Sequence, residues 1–298
     1  MSALKNIKKK MCLMLGSILF ASTVQAAEPV RAFFDMEANG ISYRIFTAAP
    51  AEAAPAGGYP VIYMVDGNRM LPLAAAEMGK NEELKAVLVG IGYPTDVPDE
   101  IVRLRYFDLT SATSEQLTPD PANQPKTGGR DAFFSFIDGQ VKPEIEKRFA
   151  IDKRKQALFG HSLGGMFTLY ALFNHTDSFQ TYSAADPSIW WDNHSILSDK
   201  DRFIASFKSA PHPLRLLMET SGKRGSRPGQ SAKDIQRMRK LRGGPSGVDV
   251  YKELEQLPQL ETAFHRFADE GHGSMIPLTV KDSLDFILLG KKPEHTDN

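Results

Sequence analysis

The chain has 298 residues, 42% of them hydrophobic, with 36 basic and 36 acidic side chains and a single cysteine. The even charge points away from nucleic acid as a partner, and the length suits one large domain with a sizeable core. The one cysteine, Cys12, falls in the leader-like segment at the start, so disulfides, thiolate metal sites and a cysteine nucleophile are excluded from everything that follows it.

Residues 1–26 read as a secretory signal. Lys5, Lys8, Lys9 and Lys10 form a basic start, Met11 to Phe20 is a short apolar run, and Val24-Gln25-Ala26 offers small residues at the cleavage positions. The apolar run is short for a membrane span, although an uncleaved anchor is the alternative reading. Removing the segment takes four lysines with it, so 36 basic against 36 acidic becomes 32 against 36. The expected mature chain, 27–298, is mildly acidic and free of cysteine, which suits an oxidising compartment such as a periplasm.

In chain order, Ile41 to Thr47 alternates as a strand, and Ala48 to Gly58 is an Ala/Pro/Gly-rich loop. Val61 to Val65 is a compact apolar run, expected as a buried strand, and Leu71 to Met78 is expected as a short helix. Ala86 to Gly92 repeats the buried-strand pattern. Thr113 to Gly129 is a polar loop able to border a site. Phe133, Phe134, Phe136, Ile137, Val141, Ile145 and Phe149 recur at helical spacing, which predicts one amphipathic helix over 130–149 despite Pro143. Next come a strand ending at Phe159, a helix over Met166 to Phe173, and a strand over Thr181 to Ala185. Helix is expected over Ile196 to Phe207, strand over Leu214 to Glu219 and Thr262 to Phe267, and helix over Leu278 to Leu289. Alternating β and α segments with near-continuous apolar strands predict an α/β fold: a mostly parallel central sheet with helices on both faces. Active sites of such sheets lie at the carboxyl ends of the strands.

The motif richest in chemistry is Gly160-His161-Ser162-Leu163-Gly164, a G-x-S-x-G set between an apolar strand and an apolar helix. That context is a nucleophile elbow, which lifts the hydroxyl of Ser162 above the sheet edge. The N–H of Leu163, at the helix start, is then aimed at an oxyanion beside the serine. Of seven histidines, His272 is the expected base, because it lies between two glycines on the loop after the last strand. His161 is expected to pack, and the others to be structural or exposed. Asp66-Gly67-Asn68 follows an early strand, so the N–H of Gly67 is the expected second oxyanion donor, an ordinary Asp-Gly turn being the alternative.

The orienting acid stays open. Glu219 is at the usual place and Asp186 follows the preceding strand, while Asp249, Glu253, Asp269 and Glu270 are further options, as is a Ser–His dyad with no dedicated acid. For substrate, Trp190 lies beyond a strand end and can stack on an aromatic ligand, whereas Trp191 is expected to pack. Arg105 is a candidate for an anionic group, or else a partner of Asp108. Lys223 to Arg242 carries eight basic residues and one acid, either a solvated face or a steering surface for an anion. No metal ligand and no cofactor are expected.

The chain resembles the esterase D branch of the α/β-hydrolases, and within it the periplasmic trilactone siderophore esterases of enterobactin and salmochelin type. The resemblance runs from about Tyr43 to Leu288. It is carried by residues 59–68, 89–93, Arg105 through Thr110, Gly160 to Gly165, Pro187 to Trp191 and Gly271 to Met275. It implies Ser162 as nucleophile, His272 as base, Gly67 and Leu163 as oxyanion donors, and a dyad that suffices without an acid. Asp186 departs from the branch, where serine is more usual. The expected partner is a small siderophore ester, with or without iron, and neither nucleic acid nor a membrane. Rival readings are a secreted esterase for feruloyl or acetyl groups and a non-catalytic binding protein on a hydrolase fold.

Overall fold

The inner strands are built from apolar residues that fill a pleated surface on both faces, and they lie within one eight-stranded sheet. The computed structural model describes residues 27–118, 126–208, 212–223, 225 and 231–293. The expected signal and Cys12 lie outside them. The strands are β1 (Val30–Ala38), β2 (Ile41–Ala49), β3 (Tyr59–Val65), β4 (Val87–Gly92), β5 (Ile151–His161), β6 (Thr181–Ala185), β7 (Leu214–Lys223) and β8 (Leu260–Gly271). Their order is β1-β2-β4-β3-β5-β6-β7-β8. Strand β2 pairs antiparallel with both β1 and β4, and every pairing from β4 to β8 is parallel.

Helices cover both faces. The helices are α1 (Gly67–Met78), α2 (Pro98–Leu109), α3 (Arg130–Phe136), α4 (Lys142–Arg148), α5 (Leu163–Asn174), the short α6 (Trp191–His194), α7 (Ile196–Ser206), α8 (Ala232–Leu241), α9 (Gly247–Leu254) and α10 (Ile276–Leu289). One core joins Val61, Tyr63 and Leu158 to Phe133, Phe136, Phe167 and Leu172. The other joins Ile62, Met64 and Phe159 to Leu71, Ala75, Ile276 and Val280. Adjacent residues of β3, Val61 and Ile62, thus enter opposite cores, as the two-residue repeat of a strand requires. Helix α5 is buried from Leu163 to Phe173, which explains why its sequence is apolar all round. No helix among the described residues is long and apolar enough to cross a membrane.

The single helix expected over 130–149 is three pieces. A π-helical turn, Ile137–Val141, separates α3 from α4. Pro143 lacks the N–H that a continuous helix needs, and the wider turn places it in the first turn of α4, where no intrahelical donor is missed. Lys142, beside it, donates to the Ser178 carbonyl at 2.7 Å and to Asp138 at 2.8 Å. The apolar spacing survives the break, since Phe133, Ile137, Val141 and Ile145 all point into the core.

Candidate active site

Three of the parallel strands end in residues with left-handed backbone, and all three carry site chemistry. Asp66 closes β3 at φ 57°, Ser162 closes β5 at φ 63°, and Asp186 closes β6 at φ 40°. Aspartate tolerates this region better than most residues. Serine at φ 63°, ψ −117° is strained, at a cost of about 1–3 kcal/mol that the surrounding contacts must offset. The elbow is pinned on both sides: Ser162 N donates to the Ala185 carbonyl at 2.9 Å, while the Ser162 carbonyl accepts from Met166 at 3.0 Å and Ser188 at 3.0 Å. Gly160 is required by the turn, because a Cβ there would lie 2.2 Å from the Gly164 carbonyl oxygen.

Ser162 Oγ lies 3.0 Å from His272 Nε2, and His272 Nδ1 lies 2.6 Å from Asp186 Oδ2. An ionised carboxylate can only accept, so Nδ1 carries the hydrogen and the neutral ring presents Nε2 as the acceptor for the serine proton. Asp186 is itself held, because Ser221 donates through its backbone N to Oδ1 at 3.1 Å and through its hydroxyl to Oδ2 at 2.8 Å. Burial pushes the Asp186 carboxyl up, but the His272 and Ser221 contacts outweigh it and hold the group at about 2. It therefore stays charged across the working pH range. The chain order is Ser162, Asp186, His272, as in α/β-hydrolases.

Of the acids left open by the sequence, the carboxylate that meets His272 is Asp186, a geometry that favours a triad over the dyad allowed by the resemblance. The favoured acid, Glu219, is fully buried, and neither carboxylate oxygen is hydrogen-bonded to any of the described residues. Its backbone carbonyl accepts from Asp186 N at 2.7 Å, so Glu219 supports the acid's main chain and not the histidine ring. The sequence carried only part of the signal for Asp186, a carboxylate directly after a short buried strand, and Glu219 at the end of another strand matched it. Ser221 was not foreseen, because nothing in a Thr-Ser-Gly stretch marks which hydroxyl faces the site.

Gly67 and Leu163 are the first residues of α1 and α5, so neither N–H has a partner in its own helix. Both helix starts flank Ser162, where the helix dipoles favour negative charge. Gly67 presses on β4, and a Cβ there would lie 2.4 Å from the Gly90 carbonyl carbon. Asn68 fixes the same loop: its amide donates to the Tyr93 carbonyl at 2.9 Å and its oxygen accepts from Tyr93 N at 2.8 Å.

Arg105 has a partner other than the one expected. Its Nε and Nη2 donate to Asp66 at 2.7 and 2.9 Å, and both side chains are largely buried. Asp108 instead accepts from Tyr43 and Tyr93 at 3.0 and 2.8 Å. Two-point pairing with a carboxylate holds Arg105 against the residue before Gly67. Trp191 packs, fully buried, with its indole N–H on Thr113 Oγ1 at 3.0 Å. Trp190 is only half-buried, and the Arg242 guanidinium lies 5.5 Å from its ring centroid. His161 is buried with its ring 4.5 Å from that of His272. Burial above all, with the neighbouring His272 adding to it, pushes His161 down to about 3, so it faces the base as a neutral ring.

The Esterase family model matches residues 38–214. The chain is 36% identical over 257 residues to the ferri-bacillibactin esterase BesA of Bacillus subtilis, covering 83% of this chain and 85% of the relative. It is 34% identical over 251 residues to the siderophore enterobactin esterase of Emericella nidulans, covering 76% and 81%. Among solved structures, the siderophore hydrolase EstA from Aspergillus nidulans superposes with a TM-score of 0.72 at 29% identity, covering 88% of this chain and 94% of that one. With the sheet order, the strand-end site and these matches in agreement, the chain belongs to the esterase family of α/β-hydrolases and is a carboxylic ester hydrolase.

Proposed function

We propose that this esterase hydrolyses the ester bonds of a catechol siderophore of trilactone type, using Ser162 as nucleophile, His272 as general base and acid, and Asp186 as the orienting carboxylate. The single observation that carries the chemistry is the continuous line of hydrogen bonds from Ser162 Oγ through His272 to Asp186. The substrate class is supported by the names of the two relatives, a ferri-bacillibactin esterase and an enterobactin esterase.

His272 Nε2 takes the hydroxyl proton as Ser162 Oγ attacks the ester carbonyl, and the developing imidazolium is stabilised by Asp186. The tetrahedral oxyanion sits between the N–H groups of Gly67 and Leu163. Collapse breaks the ester C–O bond, and His272 returns the proton to the departing alkoxide. Water then attacks the acyl carbon as it loses a proton to His272, and His272 returns that proton to Ser162 Oγ as the acyl–oxygen bond breaks and the acid leaves. The His272 side chain is 39% exposed, so the reacting centre is open enough to meet a bulky substrate.

A ferric tris-catecholate bears three negative charges and flat aromatic faces. Trp190 supplies an aromatic face, and Arg242 with Lys233, Arg239 and Lys240 supplies positive charge on and after α8. The basic start, apolar run and Val24-Gln25-Ala26 favour export, which would bring the enzyme to its substrate in a periplasm. The test compares kcat/KM for ferric enterobactin, a feruloyl ester and p-nitrophenyl butyrate at several ionic strengths. The siderophore should be turned over fastest, with a rate constant that falls as salt rises. Equal or better turnover of the neutral esters, with no salt dependence, would remove the siderophore and leave a general serine esterase.

A further inference from the structure

Behind the triad, on the α10 side of the sheet, lies a second set of ionisable groups that the ester chemistry does not use. Glu219 of β7 pairs in register with His265 of β8, and Asp282 of α10 faces both. One ligand atom from each, an imidazole nitrogen and two carboxylate oxygens, lies within 4.8 Å of the other two. His265 Nδ1 is 2.7 Å from Asp282 Oδ2. Glu219 is different in kind: it is fully buried, and among the described residues neither of its oxygens has a hydrogen-bond partner.

That last fact needs a cause. A buried carboxyl group with no partner for either oxygen is rare in folded proteins, because desolvation is left uncompensated. Protonation removes the charge but leaves a hydroxyl hydrogen that still requires an acceptor. A cation between the three side chains answers both needs at once.

We propose that Glu219, His265 and Asp282 form a binding site for one divalent transition-metal ion of the Zn2+ class, which clamps β7, β8 and α10 together. One imidazole and two carboxylates suit Zn2+ better than Mg2+ or Ca2+, which favour all-oxygen shells. Ligand bonds of about 2.0–2.2 Å in a tetrahedral site put ligand atoms roughly 3.3–3.6 Å apart, a spacing that small side-chain rotations reach from the present positions. Two carboxylates and a neutral imidazole cancel the charge of a divalent ion. The side chains of His265 and Asp282 are 20% and 19% exposed, which gives the ion a way in from solvent. The site is tied to catalysis through the backbone only. Glu219 O receives Asp186 N, and His272 sits on the turn joining β8 to α10. The ion would hold the frame that carries Asp186 and His272 while touching neither side chain.

The test uses the full mature chain, stripped with chelator and dialysed against Zn2+ alone. One Zn2+ per chain should bind, and at a hundred times Kd the Tm should rise by on the order of 5 °C. His265→Asn and Asp282→Asn should each weaken binding by at least about a hundredfold, since even outer-shell changes cost tenfold to a hundredfold. His272→Asn should bind Zn2+ as the wild type does. This arm matters because His161, Asp186 and His272 also lie close enough to share an ion. Glu219→Gln, which keeps the side-chain shape, serves if either of the other variants fails to fold. Absence of stoichiometric binding, binding retained in His265→Asn and Asp282→Asn, or binding lost only in His272→Asn would each overturn the proposal.

Discussion

Replacing Asp186 by Asn separates a triad from a dyad, and the structure sets the size of the effect. Asp186 Oδ1 accepts from Ser221 N, so an asparagine keeps its carbonyl oxygen there and turns its NH2 toward His272 Nδ1. Nδ1 must then accept, which moves the ring hydrogen to Nε2, where it meets the Ser162 hydroxyl as a donor. The ring can no longer take the serine proton. A second loss is the charge that steadies the imidazolium. The His272 and Ser221 contacts together hold the carboxyl below its ordinary range, and the amide loses the charge that makes the His272 part of that hold. Adding the reversed tautomer brings the loss into the range of about 10⁴ in kcat, or roughly 5.5 kcal/mol, known for such a change in serine proteases. The assay is kcat and KM for p-nitrophenyl butyrate, with circular dichroism as a control for folding. KM should change little. A fall in kcat smaller than about tenfold would refute the reasoning and return the site to a dyad.

Two further outcomes follow from the same contacts. Gly67→Ala places a Cβ against backbone of β4 at 2.4 Å, so the loop must move; stability should drop by about 1–3 kcal/mol. The displaced N–H should lower kcat by about 10²–10³, read in steady-state kinetics against unfolding in urea. Glu219→Gln should leave kcat within about tenfold of the wild type, because the carboxylate makes no contact with His272 that the ring depends on. Its effect on stability depends on pH. The folded-state carboxyl of Glu219 is raised, so the native chain holds a proton that the unfolded chain releases above about pH 4.3, and wild-type stability falls as pH rises beyond that point. Urea unfolding in chelator at pH 5 and pH 8 should therefore show the Gln variant gaining on the wild type at the higher pH.

Most elements with a buried apolar face were legible in the sequence, α9 with Val250, Tyr251 and Leu254 buried being an exception, and those without one were not. The strand over Thr181–Ala185 was read to the residue, and β3, β4 and α10 within a few, because each is a clean apolar run. Strand β1 went unread. It is a sheet edge with Val30 and Phe33 exposed, so no apolar alternation marks it. Helix α2 buries only Asp108 and Leu109, and its charged surface looks like loop. At the site, Ser162 and Leu163 were legible in the sequence because the strand-to-helix turn requires Gly160, Gly67 because it presses on β4, and His272 only by its place on the loop after the last strand. The acid was not, since either Glu219 or Asp186 ends a strand at a suitable place. Which one reaches His272 depends on the side each points to and on left-handed backbone at Asp186, and neither property is written in local sequence. The partner of Arg105 is likewise a long-range fact, reaching back 39 residues to Asp66.

The most direct measurement is rapid-quench mass spectrometry of the enzyme mixed with a catechol trilactone. When Ser162 opens a cyclic trilactone, the departing alkoxide remains part of the same molecule, so the acyl-enzyme gains the full mass of the siderophore. The expected result is an adduct of that mass on the peptide that carries Ser162, followed by release of the ring-opened acid with one water added. Ser162→Ala should show neither. Adduct on another residue, or ring-opened product made by Ser162→Ala at wild-type rate, would contradict a serine esterase acting on siderophore esters.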